Sequence, residues 1–124
     1  MRHTLHLVGL CLLVFGWISA RAEEATITGF FACERCTAPR AATGIFTPSG
    51  PVCAKDCIEH GSEAVLVDAP GKQLLKVRNY ATVTDDLGYR VEVHGEVDRA
   101  AHTITVASVK RLEYVGASCE RRKK

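Results

Sequence analysis

Two short-spaced pairs of cysteines are the residues of this chain whose types and spacing could carry chemistry. Cys33 and Cys36 form a C-x-x-C pair, and Cys53 and Cys57 form a C-x-x-x-C pair, with His60 three residues further on. Cysteines at such spacings join in structural disulfides, bind a soft metal ion or exchange disulfides with other thiols. The residue types alone leave all three chemistries open.

A metal interpretation follows from the spacing of the second pair. If this segment is helical, Cys53, Cys57 and His60 lie on one face, because residues three and four apart are neighbours on a helix. Together with Cys33 and Cys36 they could supply four sulfurs to zinc, with His60 as an additional ligand. The same soft ligands suit copper(I). The pattern therefore predicts zinc or copper at this cluster, or no cofactor at all.

Structural disulfides are the competing interpretation. A bond between Cys53 and Cys57 within one helix is disfavoured because the geometry of a disulfide is narrow, so cross-pairing with the first two cysteines is expected. Such bonds would hold the first loop of the domain to its sheet. The C-x-x-C motif alone does not support a thioredoxin-like role, because Cys33 is predicted to end a strand and enter a Pro-containing loop.

A catalytic function is not indicated by the rest of the sequence. No serine–histidine–acid order, phosphate-binding glycine loop or spaced carboxylate pair stands out in it. Each of these arrangements would be needed to nominate a nucleophile, a phosphate site or an acid–base pair. The cysteine cluster is therefore the candidate site.

The first 22 residues have the layout of a cleavable secretory signal. Arg2 precedes an apolar stretch from Leu7 to Ile18, and Ala20 and Ala22 provide the small residues of a cleavage site. The apolar stretch is shorter than the roughly 20 residues of a membrane-spanning helix. The chain is therefore predicted to be periplasmic or secreted, with no membrane span after cleavage.

An odd number of cysteines would remain after cleavage, since Cys11 leaves with the signal. At least one of them must then be unpaired, metal-bound or joined to another molecule. Cys119 is the candidate for an unpaired or intermolecular cysteine, although it could also pair inside the domain. Because an exported protein meets an oxidising environment, disulfides are the default expectation for the others.

The charge of the mature chain does not favour nucleic acid as a partner. Of the 16 Lys and Arg residues, Arg2 and Arg21 leave with the signal, so the remaining bases equal the 14 acids in number. A basic C-terminal tail, residues 118–124, holds four of these bases, so the folded body is slightly acidic. Nucleic-acid-binding domains normally carry a basic face.

The hydrophobic periodicity of residues 23–117 predicts one mainly β domain. Apolar residues alternate clearly in 90–97, where Gly95 interrupts the inward set and marks a bulge. Pro39, Pro48 and Pro51 predict a loop from Glu34 to Pro51, before a short helix at 53–60 that Gly61 would cap. The predicted strands are 25–32, 63–68, 73–78, 90–97 and 102–109, with a short helical turn at 84–87.

This order predicts a small five-stranded OB-like barrel with a short helix in a cysteine-containing first connection. Five strands with a helical element between the third and the fourth are typical of the OB fold. A generic small β-sandwich is the competing architecture.

Several segments together resemble a group of small secreted bacterial OB-like proteins. They are Gly29-Phe-Phe-Ala-Cys-Glu-Arg-Cys36, Cys53-Ala-Lys-Asp-Cys57-Ile58, Gly61 with the Val65-Leu66-Val67 strand, and Gly88-Tyr-Arg-Val-Glu-Val-His-Gly95. The resemblance implies a fold and a compartment, and no activity. The chain departs from the group pattern at Cys33, where an aspartate is usual, and at Thr37 to Arg40, where Gly-x-x-His is common. The extra cysteine changes what the cluster can form.

Two functions of different class are predicted from these observations. The first is an exported, non-catalytic OB-like binding module whose cysteines hold the first loop and which binds a protein, peptide or small ligand of the cell envelope. The alternative is a zinc- or copper-binding envelope protein that uses the cysteine cluster. A thiol–disulfide enzyme is a third and less supported hypothesis.

Overall fold

The computed structural model of the chain describes residues 22–47 and 50–116. The predicted signal up to residue 21, the basic tail 118–124 and Cys119 lie outside the described residues. The described chain is mainly β, with five strands that close in a ring and two short helices. In that part of the chain, no helix has the length and apolar character needed to cross a membrane.

Both helices lie between the first two strands, and we call residues 34–63 the first connection. The elements in chain order are β1 Glu23–Cys33, α1 Glu34–Ala41, α2 Pro51–Glu59, β2 Ala64–Asp68, β3 Gln73–Val77, β4 Tyr89–Asp98 and β5 Thr103–Tyr114. Two 3₁₀ turns, Tyr80–Thr82 and Thr84–Asp86, join β3 to β4. The helical turn predicted at 84–87 is therefore confirmed.

The long first strand closes the ring by pairing with two neighbours. Its residues up to Gly29 pair with β4, and those from Phe30 onward pair with β2. The order around the ring is β1-β2-β3-β5-β4, and all pairs are antiparallel except β3 with β5. A Cβ atom at Gly29 would collide with the carbonyl oxygen of Val67, so the change of partner requires glycine at this position.

The alternation predicted for β4 is confirmed. Val91, Val93 and Val97 are fully buried, whereas the residues between them face solvent. The pairing with β5 shifts register between His94 and Gly95, where a bulge was predicted. The inner cluster of the ring consists of Ile27, Phe31, Cys33, Ala54, Ala64, Leu66, Leu75, Val77, Val83, Leu87, Val91, Val93, Val97, Ile104 and Val106.

A second apolar cluster lies on the opposite side of β1 and β2 from the inner cluster. We call it the outer cluster, and it consists of buried Ala32, Val65 and Val67 with partly buried Phe30, Phe46 and Leu74 packed against them. Phe46 belongs to the first connection, which therefore covers this side of the sheet. As a result, all five residues of β2 are buried, which fits the continuous apolar run of its sequence.

The loop predicted from Glu34 to Pro51 is wrong in its first part, because residues 34–41 form α1 despite Pro39. The helix is held by tertiary contacts. The Glu34 N–H donates to the carbonyl oxygen of Glu63, 2.8 Å away, and Thr37 is fully buried. Such packing overrides the weak intrinsic preference of a short segment. It also offsets the cost of Pro39, which removes one hydrogen bond and crowds the carbonyl group one turn earlier in the helix.

The fifth strand also extends beyond its prediction, to Tyr114 instead of Val109. Its last part is exposed and shows no clear alternation, and the ladder with β4 is irregular between Arg90 and Val91. Arg90 and Glu113 face each other across the two strands, with 3.3 Å between Nε and Oε1. Cross-strand pairing thus continues where the hydrophobic pattern has ended.

We expect Asn79→Ala to lower the free energy of unfolding by about 2 kcal/mol, because two buried backbone groups lose their partner. Asn79 lies just beyond the short parallel pairing of β3 with β5. Its side-chain amide donates to the carbonyl oxygen of Val106 at 2.7 Å and accepts from the Val106 N–H at 2.9 Å. Urea denaturation measures the change. The variant Asn79→Asp keeps the acceptor but sets its second oxygen against the Val106 carbonyl oxygen, so it should also be destabilised, and full stability of either variant would contradict this account.

Candidate functional site

Cys33 lies where three elements meet. It is the last residue of β1, the N-cap of α1 and a fully buried member of the inner cluster. Cys57 reaches it from α2, and the two sulfurs lie at disulfide distance, with 6.2 Å between the Cα atoms. The bond spans 24 residues of sequence and joins the end of β1 to the second helix.

The C-terminal end of α2 holds Cys57 in a defined position. The Gly61 N–H donates to the carbonyl oxygen of Ile58, and the Ser62 N–H donates to that of Cys57, at 3.0 and 3.1 Å. Gly61 has a φ of 96°. This pair of bonds is a Schellman cap, which requires a left-handed residue just after the helix. The predicted role of Gly61 is confirmed, and the helix bounds agree with the prediction within two residues.

The turn after α2 also holds the start of α1. Besides the bond from Glu34 to Glu63, the Arg35 N–H donates to Ser62 Oγ at 3.2 Å. Lys76 of β3 lies 3.7 Å from the Glu34 carboxylate. The sequence predicted no helix N-terminus beside Cys33, and this prediction is wrong, because α1 begins at the next residue. The serine and the backbone carbonyl that make this possible lie almost 30 residues away in sequence, where no local signal could show them.

Cys36 adds a third sulfur to the pair. It lies in the first turn of α1, and its side chain is exposed and free. The sulfurs of Cys33, Cys36 and Cys57 all lie within 4.8 Å of one another, with Cys33 buried, Cys57 half-buried and Cys36 in solvent. We call these three residues the cysteine triad. The structure therefore brings together three of the four cysteines that were predicted to form one cluster.

Cys53 and His60 are placed differently from the triad. Cys53 lies one turn before Cys57 on α2 and is not a member of the triad, although it is not a free thiol. The His60 side chain is 70% exposed, and its Nδ1 lies 2.7 Å from the Asp56 carbonyl oxygen and 3.4 Å from the Asp56 carboxylate. Among the described residues, the structure does not bring His60 to the triad.

The C-terminal end of α2 also lies near the connection between β3 and β4. Tyr80 packs against the inner cluster, and burial raises the pKa of its hydroxyl. The nearby Glu59 carboxylate raises this pKa further. Tyr80 therefore stays neutral well above physiological pH, and α2 faces no ionised phenol at its C-terminal end.

A groove of about 400 Å³ lies beside the triad, between α1 and the turn after α2. Its walls carry negative charge from Glu34 and Glu63 and positive charge from Arg35. Pro39 and Ser62 also line it. The groove is open to solvent and lies next to the first turn of α1, where Cys36 is exposed. It is a mixed, shallow surface and not an enclosed reaction chamber.

Thr37 carries a buried hydroxyl for which the described part of the chain offers no hydrogen-bond partner. We expect Thr37→Val to raise the free energy of unfolding by about 1 kcal/mol, because valine has the same shape and no polar group to desolvate. Thermal melting measures the change. In the control Thr43→Val, a surface hydroxyl that donates to the Arg40 carbonyl is lost, so no gain is expected. Destabilisation by Thr37→Val would mean that its hydroxyl has a partner in solution.

Comparison of the chain with protein-family models, with curated proteins and with solved structures finds no match. The interpretation of the site therefore rests on its residues and its geometry.

Proposed function

We propose that this chain is an exported, non-catalytic OB-like binding module whose first connection is stapled by cysteines. The pairing of the strands supports the OB-like part of the proposal. One long strand shared between two neighbours, with a parallel contact between the third and fifth strands, is how a five-stranded OB-type sheet closes. The 3₁₀ turns between β3 and β4 stand where OB folds carry a helix.

The observation that supports the proposed stapled module is that Cys33 and Cys57 lie at disulfide distance and that Cys33 is fully buried. A disulfide in this place fastens α2 to the end of the ring. It thereby limits how far the first connection can move from the sheet. Structural disulfides of this kind are typical of small exported domains, whose cores are modest.

The ligand surface proposed for this module is one part of the usual OB site. OB domains bind ligands on the face of strands 2 and 3 and with loops that include the connection between strands 1 and 2. In this chain, the outer cluster fills the outer side of β2, and Phe46 covers it. We therefore place ligand binding on the first connection itself, in the groove that contains Arg35 and Ser62.

Intact-mass spectrometry of protein purified from the exported fraction without reductant tests this function. Denatured protein should begin after the predicted signal and lack about two mass units for each disulfide. Native protein should carry an organic adduct that survives a chelator, and whose mass gives the class of ligand. Arg35→Glu in the groove should lose this adduct, whereas Arg78→Glu, at an exposed position after β3, should keep it. An adduct equally bound by both variants would contradict the proposed site.

Zinc or copper binding is the second candidate, and the triad is the observation in its favour. Three reduced sulfurs within 4.8 Å of one another could bind copper(I), or zinc with one open position. This function excludes the disulfide, because a metal needs Cys33 and Cys57 as thiolates. A native mass with one metal ion, lost on denaturation and leaving reduced thiols, would favour this candidate over the stapled module.

A further inference from the structure

The disulfide of the proposed module has a free thiol beside it. Cys36 is exposed, and its sulfur lies within 4.8 Å of both sulfurs of the Cys33–Cys57 pair. Disulfides rearrange when a thiolate attacks one sulfur of an existing bond, so a neighbouring free thiol is a built-in nucleophile.

We propose that Cys36 and the Cys33–Cys57 disulfide form an exchange site, in which the bond moves between two positions. The Cys36 thiolate attacks Cys33 Sγ, a Cys33–Cys36 bond forms, and the Cys33–Cys57 bond breaks. The electron pair of the broken bond stays on Cys57 Sγ, which takes up the proton that Cys36 released. The number of disulfides is unchanged, so the step needs no oxidant or reductant. This inference rests on the disulfide of the proposed function.

The direction of attack follows from burial. If Cys36 attacked Cys57 instead, Cys33 would have to leave as a thiolate inside the inner cluster, where Cys33 has no exposed surface. A charge in an apolar interior without a partner is costly. Cys57 is half-buried on α2 and can carry the charge with access to water. Attack at Cys33 with departure of Cys57 is therefore the favoured course.

The position of Cys36 on α1 also fits the product. Cys33 is the N-cap, and Cys36 is the third residue of the helix, so their side chains are neighbours three residues apart. This is compatible with the narrow distance window of a disulfide. The product exchanges a long bond across 24 residues for a local one. Cys57 and α2 are then no longer fastened to the end of β1.

The sequence offers a direct way to follow the bond, because each cysteine lies on its own tryptic peptide. Trypsin cleaves after Arg35, Arg40, Lys55 and Lys72, and these cuts separate all four clustered cysteines from one another. The folded, non-reduced protein is incubated for minutes to hours, the range of uncatalysed rearrangement. It then receives a short pulse of N-ethylmaleimide, and linked and labelled peptides are identified by mass spectrometry.

In the unmodified chain, label is expected on both Cys36 and Cys57, with Cys33 linked to whichever of the two is unlabelled. Cys36→Ser should show Cys33 linked to Cys57 only, without label on either. Cys57→Ser should show the Cys33–Cys36 link directly, provided that its circular dichroism matches the unmodified chain. Label confined to Cys36 in the unmodified chain, with Cys33 linked to Cys57, overturns the exchange and leaves the staple intact. Label on Cys33 itself overturns the staple of the proposed function.

Discussion

Replacing Cys33 and Cys57 together by alanine is expected to lower the free energy of unfolding by about 3–4 kcal/mol. The physical reason is the chain entropy of the unfolded state, which a bond across 24 residues restricts by about this amount. For a domain whose total stability is of order 5–15 kcal/mol, the loss is large. Urea denaturation of the non-reduced proteins measures it.

The matched control is Cys36→Ala, which removes the exposed thiol of the same triad. Because this side chain is in solvent and makes no staple, its loss should change the free energy of unfolding by less than about 0.5 kcal/mol. A reductant should destabilise the unmodified chain, and a chelator should not. If the double variant is as stable as the control, or if a chelator alone unfolds the protein, the stapled module is contradicted.

The parts of the fold that were predictable are those where the local pattern and the final environment agree. In β4, each buried position is Val or Gly and the positions between them are polar, so period two identifies both the strand and its buried face. The hairpin of β2 and β3 was also predictable, because its turn carries Pro70 and Gly71. Asp68 accepts the Gly71 N–H at 3.0 Å and closes this turn.

The parts that were not predictable depend on contacts between distant residues. The segment from Glu34 to Ala41 shows no helical pattern of apolar residues, and Pro39 argues against a helix. The helix exists because Ser62 and Glu63 satisfy its first N–H groups and because Thr37 is buried. Those partners are supplied by a separate turn of the chain, which periodicity within α1 cannot reveal.

The sequence indicated which cysteines form the candidate site, but not which two of them pair. Short spacing predicted that cysteines of the two segments would meet, and Cys33 and Cys57 do meet. Four cysteines allow three pairings, however, and the choice depends on where α1 and α2 lie on the ring. The role of Cys36 as a neighbour of the bond is likewise set by α1, the element that the sequence did not predict.

The largest effect is expected for Val67→Asp, which places a carboxylate in the outer cluster. Val67 has no exposed surface and lies between Phe30 of β1 and Leu74 of β3 in the strand register. An unpaired buried charge costs several kcal/mol, a large share of the total stability of a small domain, so the melting temperature should fall steeply. Val67→Thr buries only a hydroxyl and should cost about 1–3 kcal/mol. Circular dichroism melting measures both variants.

The control is Ser108→Asp, at an exposed position of β5 that faces His94 across the strands, where a change within about 0.5 kcal/mol is expected. The comparison decides which surface of the module can take a ligand. A severe effect at Val67 means that the outer side of β2 is covered in solution, which supports the proposed site on the first connection. If Val67→Asp were as mild as Ser108→Asp, the face of β2 and β3 would be open. The ligand site would then move from the groove beside Arg35 to that face, where OB domains usually bind.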